Sequence, residues 1–143
     1  MSRSLRLALL ITDLAFLAYW TVGLASLAGL FALPAPLMYA DYDNPIVFAW
    51  NWSFLPLDLA FSATGLLAVT AAGRGDPRWR GLALLSLAFT LAAGGMAVSF
   101  WVIRQEFNPS WFLPNLALVV WPLAFLPGLL SADRPSGPKE SLP

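Results

Sequence analysis

The chain has no cysteine and no histidine, and its 143 residues include one lysine, Lys139. Without cysteine there is no thiolate nucleophile, disulfide or dithiol exchange. Without histidine, the common zinc and haem ligands and a serine–histidine catalytic pair are missing. Since Lys139 lies in the polar C-terminal segment, a retinal Schiff base within a helix is also excluded. The sequence therefore predicts no cofactor and no metal.

Charge is scarce as well. Only 11% of the residues are charged, eight of them basic and eight acidic, so the net charge is zero and a basic surface for nucleic acid is not expected. In contrast, 59% are hydrophobic, and the mean hydropathy is +0.70. Each of four apolar runs is long enough to cross a bilayer core of roughly 30 Å, which predicts an integral membrane protein. The predicted helices cover residues 7–33, 46–72, 81–103 and 111–130.

The basic residues predict how these helices are oriented. Seven lie in the N-terminal segment, the second loop and the C-terminal tail, whereas the other two loops hold one, Arg104. Positive loops stay on the cytoplasmic side, so both termini should be cytoplasmic. Short loops make successive helices antiparallel neighbours. The predicted fold is an all-α, up-down four-helix bundle, with residues 1–6 as a cytoplasmic N-terminus, 7–130 as the helical domain and 131–143 as a disordered tail.

Two of the runs contain an acid, Asp13 and Asp58. A carboxylate within a membrane span is costly, and usually faces a partner, a cavity or a path through the bundle. Asp58 shares a helical face with Asn51 and Ser62, and Pro56 should bend the helix beside it. The alternative is a buried Asp58 that only hydrogen-bonds to a neighbouring helix. The candidates for ligand or proton binding are Asp58, Asn51, Asp13, Asn115 and Ser62.

The two aspartates should differ in depth by roughly 10 Å, which disfavours a close acid–base pair. Ser86, Thr90 and Gly94 recur at helical spacing and predict close packing, within the bundle or across a homo-oligomer. Tryptophans near the span ends, including Trp101, Trp111 and Trp121, are interpreted as interface anchors. Polar loop residues predict either an outward-facing vestibule or an ordinary hydrated surface, and they are Tyr39, Asp41, Asp43, Arg104 and Glu106.

One segment carries a family resemblance. Asn44-Pro45 is followed by Trp50-Asn51-Trp52-Ser53-Phe54-Leu55-Pro56-Leu57-Asp58, and Ile11-Thr12-Asp13-Leu14 precedes Tyr19-Trp20. In these stretches the chain resembles the YvaD-like family of small bacterial four-helix membrane proteins. The resemblance implies a bacterial inner-membrane location and draws attention to Asp13, Asn51 and Asp58. It implies no particular reaction.

Three functions are compatible with the sequence. The first is a binding or transport module, not an enzyme, for a proton-coupled, cationic or amphiphilic solute or lipid, using the intramembrane aspartates. The second is a structural or assembly protein whose polar residues hold helices together. The third is an intramembrane enzyme that modifies a lipid by carboxylic acid–base chemistry, which the lack of histidine and cysteine makes the least favoured. The sequence does not identify the solute, the direction of a flux or the oligomeric state.

Overall fold

The computed structural model describes residues 1–34, 37–39 and 41–131, and all regular secondary structure in these ranges is helical. The all-α prediction is confirmed, and four helical segments are long and apolar enough to cross a membrane. The predicted disordered tail falls, from residue 132 onwards, outside the described residues. The helices are α1 (Arg3–Leu27), α2 (Pro45–Trp52), α3 (Leu55–Gly73), α4 (Trp79–Arg104) and α5 (Pro109–Ser131).

The second span consists of two helices, α2 and α3, where the sequence predicted one over residues 46–72. The Phe54 amide donates to the Asn51 carbonyl at 3.2 Å, a tight turn that ends α2. Pro56 then stands in the first turn of α3, where a missing N–H costs nothing because helix-starting amides have no intrahelical acceptor. The proline therefore starts a new helix within the span.

The first helix is displaced towards the N-terminus, since it covers Arg3–Leu27 where the apolar run covers residues 7–33. The amide of Ala28 donates to Leu24 at 2.9 Å, and Gly29 follows with a φ of +75°. A residue with positive φ after the last turn is a common helix ending that favours glycine. The apolar residues beyond Gly29 consequently belong to the loop.

The helices pack in chain order, α1 on α3, α3 on α4 and α4 on α5, while α1 and α5 make much less contact with each other. Asp13 lies against Gly65, and Trp20 bonds to Asp58 seven residues farther along α1 and seven earlier on α3. This register makes α1 and α3 antiparallel. The α1–α5 seam is the loosely packed side of the arrangement.

The small residues of α4 pack within the chain. Ser86, Thr90 and Gly94 are all buried. The Ser86 hydroxyl donates to the Phe61 carbonyl of α3 at 3.0 Å. A Cβ on Gly94 would lie 2.7 Å from Leu118 Cβ and 2.8 Å from the Asn115 carbonyl oxygen of α5. One helix face thus brings α4 close to two neighbouring helices, as small-residue spacing allows.

Candidate functional site

Asp58 is buried at the start of α3, with 3% of its surface exposed. Its Oδ2 accepts a hydrogen bond from the Trp20 indole nitrogen at 2.9 Å, which links α3 to α1. Its Oδ1 has no hydrogen-bond partner among the described residues. Because α3 begins at Leu55, the carboxyl lies in the first helical turn, where the helix dipole favours negative charge. The break in the second span thereby places a helix N-terminus, which stabilises a negative charge, inside the bundle.

A cavity of about 440 Å³ lies in the α1–α5 seam and is closed on its inner side by α4, the end of α2 and the start of α3. Asp58 is the one residue with a formal charge among the described residues that line it. Its wall is otherwise strongly aromatic. The rings are those of Phe16, Tyr19, Trp20, Tyr39, Trp50, Phe54, Trp101, Trp111 and Trp121.

The lateral rim of this cavity is exposed. Ile11 on α1 is 69% exposed, and Pro114 and Ala117 on α5 are also exposed. All three line the cavity. If the apolar segments span a bilayer, this rim faces hydrocarbon, so a molecule dissolved in the membrane reaches the cavity without crossing a polar surface.

Several predicted polar residues meet in the same cavity. The Tyr19 hydroxyl donates to Asn51 Oδ1 at 3.3 Å, and Asn115 Nδ2 donates to the Trp111 carbonyl at 2.7 Å. The Tyr39 hydroxyl is buried, with no hydrogen-bond partner among the described residues. Burial, and to a lesser degree Tyr19, raises the pKa of Tyr39, so the phenol stays neutral. Asn51, Asn115, Tyr39 and Asp58 therefore border one volume.

Asp13 lies apart from the cavity. It is fully buried, and neither carboxyl oxygen has a hydrogen-bond partner among the described residues. A Cβ on Gly65 would clash with this carboxyl and would lie 2.9 Å from Ser86 Oγ. Seven residues of α1 separate it from Trp20 at the level of Asp58, about 10 Å along the helix. The Ser62 hydroxyl, also buried without a partner in the described ranges, lies on α3 between these levels.

The predicted vestibule is divided in the structure. Arg104 Nη2 donates to Asp41 Oδ2 at 2.9 Å and to Glu106 Oε1 at 2.7 Å, forming an ion-pair cluster at the end of α4. Asp43 is exposed, whereas Tyr39 turns inward to the cavity. The loop charges thus cluster around Arg104, and the aromatic member of the set belongs to the cavity.

Trp101, Trp111 and Trp121, which the sequence analysis interpreted as interface anchors, all line the cavity. Trp101 is almost completely buried, and the Trp121 indole nitrogen is buried with no partner in the described part of the chain. The spacing of Trp111, Asn115 and Leu118 puts an aromatic ring and an amide on one face of α5. That pattern was the available signal for a polar interior.

These features define an all-helical protein with four membrane-type segments and a buried acid beside an aromatic cavity. Residues 5–136 match the model of a family of unknown function, DUF5360. The chain is also 36% identical over 132 residues to the Uncharacterized protein YvaD of Bacillus subtilis (strain 168), covering 92% of this chain and 96% of that protein. It therefore belongs to this YvaD-like family, which confirms the resemblance. No solved structure matches the chain.

Proposed function

We propose that this protein binds a small organic cation within the bacterial inner membrane and transports it in exchange for a proton, with Asp58 as the counter-ion. The observation that carries the proposal is the composition of the 440 Å³ cavity, whose described lining combines nine aromatic rings with one carboxyl. An aromatic face attracts a cation through its quadrupole, more strongly when the site is shielded from water. Rings and a carboxylate together select positive charge on an apolar ligand.

The partner state of Asp58 supports a ligand role. Trp20 occupies Oδ2, but Oδ1 has no described partner and is shielded from solvent. A buried carboxylate without a counter-charge is costly, so in this proposal a proton neutralises Asp58 when no cation is bound. An arriving cation would replace that proton as the balancing charge. The exchange leaves the net charge of the site unchanged.

Asp13 is proposed as a second proton position, between Asp58 and the end of the bundle that holds Met1. Two buried hydroxyls lie near this route, Ser62 on α3 between the levels of the two acids and Ser86 on α4 beside Gly65, at the level of Asp13. Hydroxyls accept and donate protons, so they suit a path between two carboxyls. The tight fit of Asp13 against Gly65 leaves room for a proton rather than for a larger ligand.

The proposal includes the orientation predicted by the basic residues, with both termini cytoplasmic. The natural chain has no cysteine, so single cysteines at Ser2 and Asp43 can be labelled selectively. In intact cells, a membrane-impermeant thiol reagent should label the Asp43→Cys variant and spare Ser2→Cys. Labelling of Ser2→Cys from outside would contradict the proposed orientation and place the N-terminus outside the cell.

Tryptophan fluorescence of the purified full chain in phosphatidylcholine nanodiscs tests binding. Five of its seven tryptophans line the cavity. Tetramethylammonium and tetraethylammonium should change the emission in a saturable way, and Asp58→Asn should abolish the change. Asp76→Asn is the matched control, because Asp76 lies in the exposed α3–α4 turn. Equal titrations for Asp58→Asn and the parent would contradict the proposed site.

A structural role is the second candidate, and the bond from Trp20 to Asp58 favours it because the bond joins two helices directly. Under this hypothesis Asp58 acts as an interhelical hydrogen-bond acceptor, a use of polar residues common in membrane bundles. The Asp58→Asn variant would then be as stable as the parent, with no ligand response in either protein.

A further inference from the structure

A second cavity, of about 570 Å³, continues the first along α1. The first follows α1 from Ile11 to Trp20, and the second from Ala15 to Leu27. Their shared lining includes Tyr19, Trp20 and Asn51, so the two cavities meet at the level of Asp58. From this level the second cavity extends towards the loop before α2. From Trp20 to Leu27, α1 rises by about 10 Å.

The second cavity differs from the first in chemistry. None of the described residues that line it is acidic or basic. Its far part is aliphatic, with Val22, Leu27, Leu33, Leu37 and Met38, and Phe48 and Trp52 of α2 form one wall. The aliphatic far part of this volume suits a hydrocarbon chain, since no described charged side chain lines it.

Polar groups stand where the cavities meet. The Tyr19–Asn51 hydrogen bond is long at 3.3 Å, and the Tyr39 hydroxyl beside it has no described partner. Tyr39 and Trp111, whose ring centroids lie 6.3 Å apart, line both volumes. The acid and these polar groups therefore lie at the level where the two volumes meet, and the aliphatic residues of the second cavity follow in order along α1.

From this order we infer that the ligand is a single-chain ammonium amphiphile, whose cationic head lies at Asp58 and whose alkyl chain fills the second cavity. The inference rests on the proposed function for the head, and adds the chain. Charge complementarity places the head at the one lining carboxyl, and the residues that line both volumes mark where the chain would pass from the first to the second. The exposed lateral rim at Ile11 and Ala117 provides entry from the bilayer.

Gly23 allows the chain site to be blocked without touching the head site. It lines the second cavity and is absent from the described lining of the first. An added Cβ there has room, since its nearest atoms, in the Trp52 ring, lie 3.8 and 4.0 Å away. Gly23→Leu should therefore fill the chamber. Gly95→Leu is the matched control, because Gly95 lies mid-helix in α4 with open space around its Cβ position.

The experiment measures dissociation constants of tetramethylammonium, octyltrimethylammonium and dodecyltrimethylammonium by tryptophan fluorescence, with full-length protein in phosphatidylcholine nanodiscs. Partition of each amphiphile into the bilayer is the same for all variants, so it cancels in the ratio of variant to parent. For Gly23→Leu this ratio should stay near one for tetramethylammonium and rise to about tenfold for the dodecyl compound, or ~1.4 kcal/mol. Gly95→Leu should give ratios near one throughout.

Ser26→Phe, a second substitution in the same chamber, replaces Gly23→Leu should the latter melt earlier than the parent. Ratios independent of chain length in the folded variants would mean that bilayer lipid alone fills the chamber, which overturns the inference and leaves Asp58 as a cation site. Absence of saturable binding by all three compounds in the parent overturns the proposed function and the inference together.

Discussion

The two buried aspartates occupy regions of different packing density. Asp13 lies where α1, α3 and α4 meet, and a methyl group on Gly65 would not fit there, because it would meet both the Asp13 carboxyl and the Ser86 hydroxyl. Asp58 lies at the loose α1–α5 seam, beside a cavity of about 440 Å³. The same side chain is thus enclosed in one region and accessible to a ligand in the other.

The comparison shows that burial alone does not identify a binding residue. Asp13 is the more deeply buried and has fewer described partners, yet it has no space around it. Asp58 has one oxygen bonded to Trp20, which fixes its orientation, and one oxygen without a described partner, and its side chain borders the cavity. The free volume and fixed orientation at Asp58 favour ligand binding. The tight surroundings of Asp13 admit only a proton, which favours a role in proton transfer.

The largest expected effect concerns the closely packed helices. Gly94→Leu should prevent folding or lower the free energy of unfolding by ~3 kcal/mol or more, since its Cβ would already lie 2.7 Å from Leu118 Cβ and overpacking strains backbone as well as side chains. Unfolding in mixed detergent micelles measures this. Gly95→Leu, one position along with open space, should change the free energy by less than ~1 kcal/mol. Equal losses in both variants would refute close α4–α5 packing.

A smaller effect is expected around Asp13. Gly65→Ala should cost about 1–3 kcal/mol, because the new methyl group meets the Asp13 carboxyl and the Ser86 hydroxyl. Asp13→Ala in the same chain removes the first of these clashes. The double variant should therefore lose less free energy of unfolding than the two single variants lose together. Strict additivity in the same unfolding assay would show that Asp13 does not fill the space opposite Gly65.

The Trp20–Asp58 bond sharpens the comparison on the open side. Asp58→Leu leaves the Trp20 indole N–H buried without its acceptor, which should cost about 1–2 kcal/mol. Trp20→Phe combined with Asp58→Leu removes both polar groups and should recover part of that loss. A double variant no more stable than Asp58→Leu alone would mean that the indole finds another acceptor at the cavity.

Much of the fold followed from the sequence, because the length of an apolar run is a local property, as are the side-chain caps at helix starts. Asn44 Oδ1 accepts from the Ile46 amide at 2.9 Å, and Asn108 Oδ1 accepts from the Ser110 amide at 3.1 Å. The break before Leu55 was harder, since a proline bends a helix or begins one according to whether the preceding turn closes. The sequence indicated that Pro56 interrupts a regular helix, but not that it begins a new helix rather than bending the existing one.

The sequence indicated the buried acids of the candidate site but not the aromatic residues that line its cavity. Spacing along one helix placed Asp58 and Ser62 on a common face, and both are buried on α3, whereas Asn51 lies on α2. The aromatic cavity depends on the poor contact between α1 and α5. It brings together residues far apart in the sequence, such as Tyr19 and Trp111, whose ring centroids lie 6.4 Å apart. Periodicity within a helix carries no information about which two helices leave a gap.

The smallest effect belongs to an acid outside the bundle core. Asp76 accepts from the Arg78 side chain at 2.7 Å and from the Arg78 amide at 2.9 Å, and Arg78 lowers the pKa of this carboxyl. A lowered pKa stabilises the fold above the ordinary value of 3.8, and this contribution disappears as the pH falls through the lowered value. The pair is exposed, so water screens it, and Asp76→Asn keeps an oxygen for the amide. Melting curves of Asp76→Asn and the parent should coincide from pH 7 to pH 4. A clear loss at pH 7 would show that the α3–α4 turn depends on charge, and that well-partnered exposed acids matter as much as the buried ones.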